Sequence, residues 1–192
     1  MAKVGILGGT FDPIHRGHLH IIESLSQDFD SIMVMPAGNP YMRDHAPQAN
    51  GFDRVEMCTR ALDDLPSAVQ EKTVLTDLEV RRDGPTYAID TIGQLKPFFP
   101  NDTFTLILGS DAAAGFDKWH RVDALKKVVE VLVVRRPGES ANASGFKEVE
   151  IDALDISATK VRELIESGAD VSEYISDSVL EYIKERGLYG SK

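Results

Sequence analysis

Runs of Val, Ile and Leu return along the chain at Lys3–Leu7, Ser31–Pro36, Thr73–Leu78, Thr103–Leu108, Val128–Val134 and Lys147–Ile151. All but the last, the charged Lys147–Ile151, are largely apolar without the strict polar alternation of a strand that has one wet face, so the runs predict strands buried on both sides. Between them apolar positions fall into helical spacing: Leu19, Ile22 and Leu25; Val55, Cys58 and Leu62; Ile89, Ile92 and Leu95. Such strands alternating with amphipathic helices predict an α/β fold, a doubly wound parallel sheet with helices on both faces. The C-terminal stretch reads as two helices, one from Ser157 to a stop at Gly168 and one from about Ser176 to a stop at Gly187, because glycine is favoured just past a helix end. The expected division is therefore a sheet core over 1–155 and a small C-terminal helical part over 156–192. Two polar stretches rich in Pro, Asn, Ser and Gly, Ala37–Asn50 and Pro137–Gly145, read as loops.

Composition narrows the classes of function. A chain of 192 residues with 42% apolar and 27% charged positions can bury a core of its own. Thirty-one acidic against 21 basic residues give a formal charge of −10, which argues against nucleic acid as a partner, since phosphate-backbone binders carry a basic face. An anionic ligand must then be met by a few placed groups. No run approaches the roughly 18 apolar residues of a membrane helix. The opening "MAKVGILGGT" breaks with glycines where the apolar core of a signal peptide would run, and Cys58 is the only cysteine, so no membrane partner and a cytoplasmic location are expected. A homo-oligomer is left open.

The candidate chemistry begins at "GILGGTFDPIHRGH", directly after the first strand. In open α/β sheets ligands sit beyond the carboxyl ends of strands, where helix N-termini converge. Gly8 and Gly9 remove side chains where backbone N–H groups could approach a phosphate, and the following helix adds the positive end of its dipole. The stretch lacks both the G-x-G-x-x-G of dinucleotide folds and the G-K-[ST] of a P-loop. His15 and His18 stand three apart, on one helical face, so both imidazoles can point at one ligand group, and Gly17 between them lets that ligand press on the backbone. No Cys or His cluster supplies further ligands, so no protein-held metal is expected. Near the other end, "DISATKVREL" places Ser157 and Thr159 in the first turn of a helix, with Arg162 on the same side. Free N–H groups, hydroxyls and a forked guanidinium there suit a polyphosphate.

"GGTFDPIHRGH" resembles the signature of the nucleotidylyltransferase superfamily, and "ISATKVR" resembles its second signature, with Ala158 at a position where Ser is more usual. The resemblance implies a Rossmann-like fold and transfer of a nucleotidyl group from a nucleoside triphosphate. Further stretches, "GPTYAIDTIGQL", "LILGSDAAAGFDKWHRVDAL", "VVRRPG" and "VLEYIKERGLY", resemble the bacterial nicotinate mononucleotide adenylyltransferases over nearly the whole chain. That likeness implies that AMP passes from ATP to nicotinate mononucleotide, giving deamido-NAD and pyrophosphate, with Mg²⁺ bound with ATP. It implies catalytic roles for His15, His18 and Arg162, and phosphate contacts from Gly8, Gly9, Thr10, Phe11, Gly17, Ser157 and Thr159. Gly109 and Asp111 would face the adenosine, and Arg136 or its neighbour Arg135 would assist at the phosphates. Asn39, Arg43, Thr86, Tyr87 and Trp119 would form the mononucleotide site, Trp119 stacking on the ring. Met42 stands where relatives carry a histidine, Ala88 where Thr is frequent and His120 where Tyr is frequent; these departures touch acid-versus-amide preference, not ATP. The rivals are a sister adenylyltransferase acting on phosphopantetheine and a non-catalytic ATP-binding sensor of the same fold.

Overall fold

The computed structural model describes residues 1–40, 45–137, 145–152 and 156–191. Six strands form one parallel sheet: β1 (Lys3–Gly9), β2 (Ser31–Pro36), β3 (Thr73–Leu75), β4 (Thr103–Gly109), β5 (Glu130–Arg135) and β6 (Lys147–Glu150). Their spatial order is β3-β2-β1-β4-β5-β6, and every neighbouring pair is parallel. The chain therefore winds outward in two directions from the junction of β1 and β4. This is the doubly wound, Rossmann-like α/β fold expected, and that junction is its topological switch point, the place where open α/β sheets generally bind ligands.

Residue period two sorts the strands' side chains into two cores. Val4, Ile6, Met33, Met35, Phe104, Leu106, Leu108, Val131 and Val133 point to one face. Leu7, Ile32, Val34, Ile107, Leu132 and Val134 point to the other. On the first face lie the helices α4 (Ala88–Leu95), α5 (Ser110–Ala114) and α6 (Val122–Leu125). On the second lie α1 (Arg16–Leu25), α2 (Gly51–Asp63), α3 (Ser67–Gln70), α7 (Ala158–Ser167) and α8 (Asp177–Glu185). The C-terminal helices bury Val161, Ile165, Val179 and Ile183 in the same cluster as Leu7 and Ile22.

Against the apolar runs, β1 extends further, to Gly9, while β3 and β5 are cut short at one end by two residues or more. β3 ends at Leu75 because the chain turns: the Leu78 N–H goes to the Thr76 hydroxyl, and the Arg81 N–H goes back to the Asp77 carbonyl. β5 starts only at Glu130, since Val128 and Val129 spend their N–H groups on the Leu125 carbonyl at the end of α6. Apolar identity marked both stretches as strand, and local hydrogen bonds claimed their ends.

Candidate active site

The turn after β1 is shaped by what each glycine faces. A Cβ on Gly9 would lie 2.8 Å from the Phe11 ring, which folds back beneath it with Phe11 itself at φ +50. A Cβ on Gly8 would meet nothing within 4 Å, and the same holds for Gly109 at the end of β4, so the carboxyl edges of the two central strands border open space. A cis Asp12–Pro13 bond follows, and α1 begins with His15 as its N-cap.

His15 donates its backbone N–H to Nδ1 of His18 at 3.2 Å. An accepting Nδ1 carries no proton, so the neutral His18 ring carries it on Nε2 as a donor. The two rings are stacked, with centroids 3.7 Å apart and planes 24° apart. Phe11 meets His18 edge-on at 4.9 Å. Burial, then the positive charge of Arg136, pull the His15 pKa down to about 4; burial, then His15, hold that of His18 well below its ordinary value. Both imidazoles are neutral at pH 7, and Nδ1 of His15 is buried without a hydrogen-bond partner. Gly17 is buried in the first turn of α1, and His20 is half-buried.

The distal segment is brought onto this turn. Arg162, in α7, donates from Nη1 to the Asp12 carbonyl at 2.7 Å and from Nη2 to the Thr159 hydroxyl at 3.2 Å. Ser157 caps α7 by accepting the Lys160 N–H at 3.2 Å. A cleft of about 470 Å³ opens beside the contact, lined by Gln48, Thr159, Arg162 and Tyr189 among others. Of the two adjacent arginines at the end of β5, Arg135 is engaged by Glu148 at 2.8 Å and Glu150 at 3.3 Å, while Arg136 is the one whose charge reaches His15.

Two residues that sequence reasoning passed over, Arg54 and Tyr189, complete the frame together with Asp12, whose place in the sequence reads as shaping the turn. Arg54, 1% exposed, donates to the carbonyls of Thr10 at 2.7 Å and Gly38 at 3.2 Å, tying the ends of β1 and β2 together. Asp12 accepts the N–H groups of Gln48 at 2.8 Å and Ala49 at 3.0 Å, and the Tyr189 hydroxyl at 2.7 Å. A signal existed for Arg54, which stands at helical spacing with Cys58 and Ala61 on the apolar face of α2. None existed for the pairing of Asp12 with Tyr189, which are 177 residues apart.

The remaining residues gather on the other face of the sheet. Gly109 is the N-cap of α5, and Asp111 lies exposed in its first turn. The Asn39 carbonyl accepts both the N–H of Thr86 at 3.3 Å and its hydroxyl at 3.2 Å. Tyr87, the N-cap of α4, stacks on His120 at 4.1 Å. Trp119 is half-buried, packed against Phe116 with ring centroids 5.0 Å apart. One side of the indole leans on the core, although Asp117, Lys118 and His120 beside it in the sequence are polar. Arg43 and Met42 lie outside the described residues. Among the described residues, no three His, Cys, Asp or Glu side chains are grouped to hold a metal ion.

Residues 6–164 match the model of the cytidylyltransferase-like family. The probable nicotinate-nucleotide adenylyltransferase of Oceanobacillus iheyensis is 36% identical over 99% of this chain and 98% of its own length. The nicotinate-nucleotide adenylyltransferase of Bacillus subtilis is 35% identical over the full length of both. Among solved structures, a Plasmodium falciparum nicotinic acid mononucleotide adenylyltransferase complexed with NaAD superposes with a TM-score of 0.87 at 23% identity, covering 100% of this chain and 99% of that one. With a family model matched over most of its length and relatives matched end to end, the chain belongs to the cytidylyltransferase-like family and, within it, to the nicotinate-nucleotide adenylyltransferases.

Proposed function

We propose that this protein transfers the adenylyl group of ATP to nicotinate mononucleotide, forming deamido-NAD and releasing pyrophosphate. The observation that carries the reading is the meeting of the two phosphate-type segments at the switch point. Arg162 lies hydrogen-bonded across the turn that presents Gly8, Gly9 and the stacked histidines. The acceptor phosphate is ionised near neutral pH, so no general base has to create the nucleophile. The barrier lies in bringing one anion up to another, and catalysis comes from in-line positioning and charge stabilisation.

In this mechanism the α-phosphate enters the open space beyond Gly8 and Gly109, against the backbone of Thr10 and Phe11. His18 donates from Nε2 to its oxygens as charge builds on them, and His15 supports that ring by stacking and by its backbone bond. Arg162, Thr159, Ser157 and the N-terminus of α7 receive the departing pyrophosphate, with Arg136 adding charge beside His15. Mg²⁺ bound with ATP would supply further positive charge to the triphosphate, beside Arg162 and Arg136. The adenosine lies toward Gly109 and Asp111. The pyridine ring lies in the Asn39–Thr86 corner, with Tyr87 and Trp119 as its aromatic walls.

Pyrophosphate release from MgATP, with nicotinate mononucleotide, nicotinamide mononucleotide and phosphopantetheine offered separately, tests the reading. Release with nicotinate mononucleotide is expected. Release only with phosphopantetheine would overturn the substrate, and release with none of the three would favour the sensor.

A further inference from the structure

We propose that Tyr189, close to the C-terminal end of the described chain, is a positioning residue for the adenylyl transfer: its hydroxyl holds the Asp12 carboxylate away from the Arg162 guanidinium. The inference rests on the reaction proposed above. Asp12 is 5% exposed and faces a crowd of donors. Its Oδ2 takes the Gln48 N–H and its Oδ1 takes the Ala49 N–H and the Tyr189 O–H, at 2.7 Å for the tyrosine. Arg162 Nη1 stands 3.9 Å from Oδ2 and bonds instead to the backbone carbonyl of the same residue, at 2.7 Å. A carboxylate and a guanidinium at that separation would close into a two-pronged ion pair if the carboxylate could swing. The tyrosine bond, with the two backbone N–H groups, is what keeps it from swinging.

The geometry of the C-terminal hook is consistent with a dedicated reach. Gly187, Tyr189 and Gly190 have φ of +60, +57 and +70. Glycine adopts that region freely, but for tyrosine it costs about 1 kcal/mol or more. The ring is nonetheless 8% exposed and inserted beside Met57, with its hydroxyl delivered to Asp12. Without that bond, the loose ion pair at 3.9 Å would close and draw Arg162 from the phosphates it is there to meet.

An internal control is available. Tyr182 makes the same kind of bond, hydroxyl to the Asp53 carboxylate at 2.7 Å, between α8 and α2 and without touching Asp12 or Arg162. Tyr189→Phe and Tyr182→Phe are to be compared by thermal melting, by steady-state kinetics in each substrate, and by titration with a non-hydrolysable ATP analogue in the absence of acceptor. Both should lower the melting temperature similarly. Only Tyr189→Phe should lower kcat/KM for ATP, by about tenfold, and weaken the analogue to a similar extent, with the KM for the mononucleotide within about twofold of wild type. Equal losses in the two variants, or unaltered analogue binding in Tyr189→Phe, would overturn the inference. If wild type releases no pyrophosphate with nicotinate mononucleotide, the reaction assignment falls, and the analogue titration still decides the role of Tyr189.

Discussion

His15 and His18 lie 3.7 Å apart in a stack that two positive charges would push open, and burial keeps both rings neutral. A neutral imidazole still donates from Nε2, and its contact strengthens only as charge accumulates on the phosphate it faces. His18→Ala should therefore lower turnover by about a hundredfold or more while ATP affinity changes only a few-fold; turnover near wild type would remove His18 from the transition state. The same burial has a consequence for stability. A histidine whose pKa falls from 6.5 to about 4 on folding binds fewer protons folded than unfolded between those values. Its contribution is fully present above pH 6.5 and is lost as pH falls towards 4. Between pH 7.5 and pH 5, His15 alone should account for about 2 kcal/mol of lost stability. In urea titrations at the two pH values, His15→Asn should shrink the difference by about that amount. An undiminished difference would mean that His15 is not buried in neutral form.

At the scale of elements, the βα turn after β1 separates two adjacent glycines by what they face. Gly9 cannot take a side chain without displacing the Phe11 ring, whereas a methyl on Gly8 enters open space. Gly8→Ala should leave the melting temperature within about 2 °C of wild type, because it adds no clash and slightly restricts the unfolded chain. It should nevertheless lower kcat/KM for ATP by at least about tenfold, because that space is where the phosphate lies. Full activity in Gly8→Ala would place the phosphates elsewhere. This turn was the most legible part of the chain, since its glycines, histidines and strand–helix junction are local features. The second signature was legible for the same reason: Ser157, Thr159 and Arg162 lie within a few consecutive residues at the N-terminal end of α7, with Ser157 as its N-cap. What holds the two together was not legible. Arg54 reaches carbonyls 44 and 16 residues away, and Asp12 meets Tyr189 only after the whole sheet has been wound between them. The stack of Tyr87 on His120 likewise joins two loops whose separate patterns carry no sign of each other.

For the molecule as a whole, the question is whether the C-terminal helices form a unit of their own or a part of the sheet's packing. Their buried residues argue for the second. Val161, Val179 and Ile183, each no more than 1% exposed, share one cluster with Leu7, Ile22, Met57 and Val134. The α7–α8 segment thus completes one face of the same sheet whose other face carries Trp119. Removing it would strip that face of apolar contacts and leave Asp12 without Tyr189. Unfolding should accordingly be one cooperative transition, with Trp119 fluorescence and far-ultraviolet circular dichroism giving coincident curves in urea. Ile183→Ala supplies the sharper form of the test, since the substitution lies in the C-terminal helix on one side of the sheet and the fluorescent reporter on the other. It should cost about 2–5 kcal/mol, and the tryptophan curve should shift by as much as the dichroism curve. A tryptophan midpoint that stays in place while the dichroism develops a second, earlier step would instead show a C-terminal part that melts by itself. In that case the Arg162 contact would be a docking between two units, and the chain's phosphate site would assemble only when they meet.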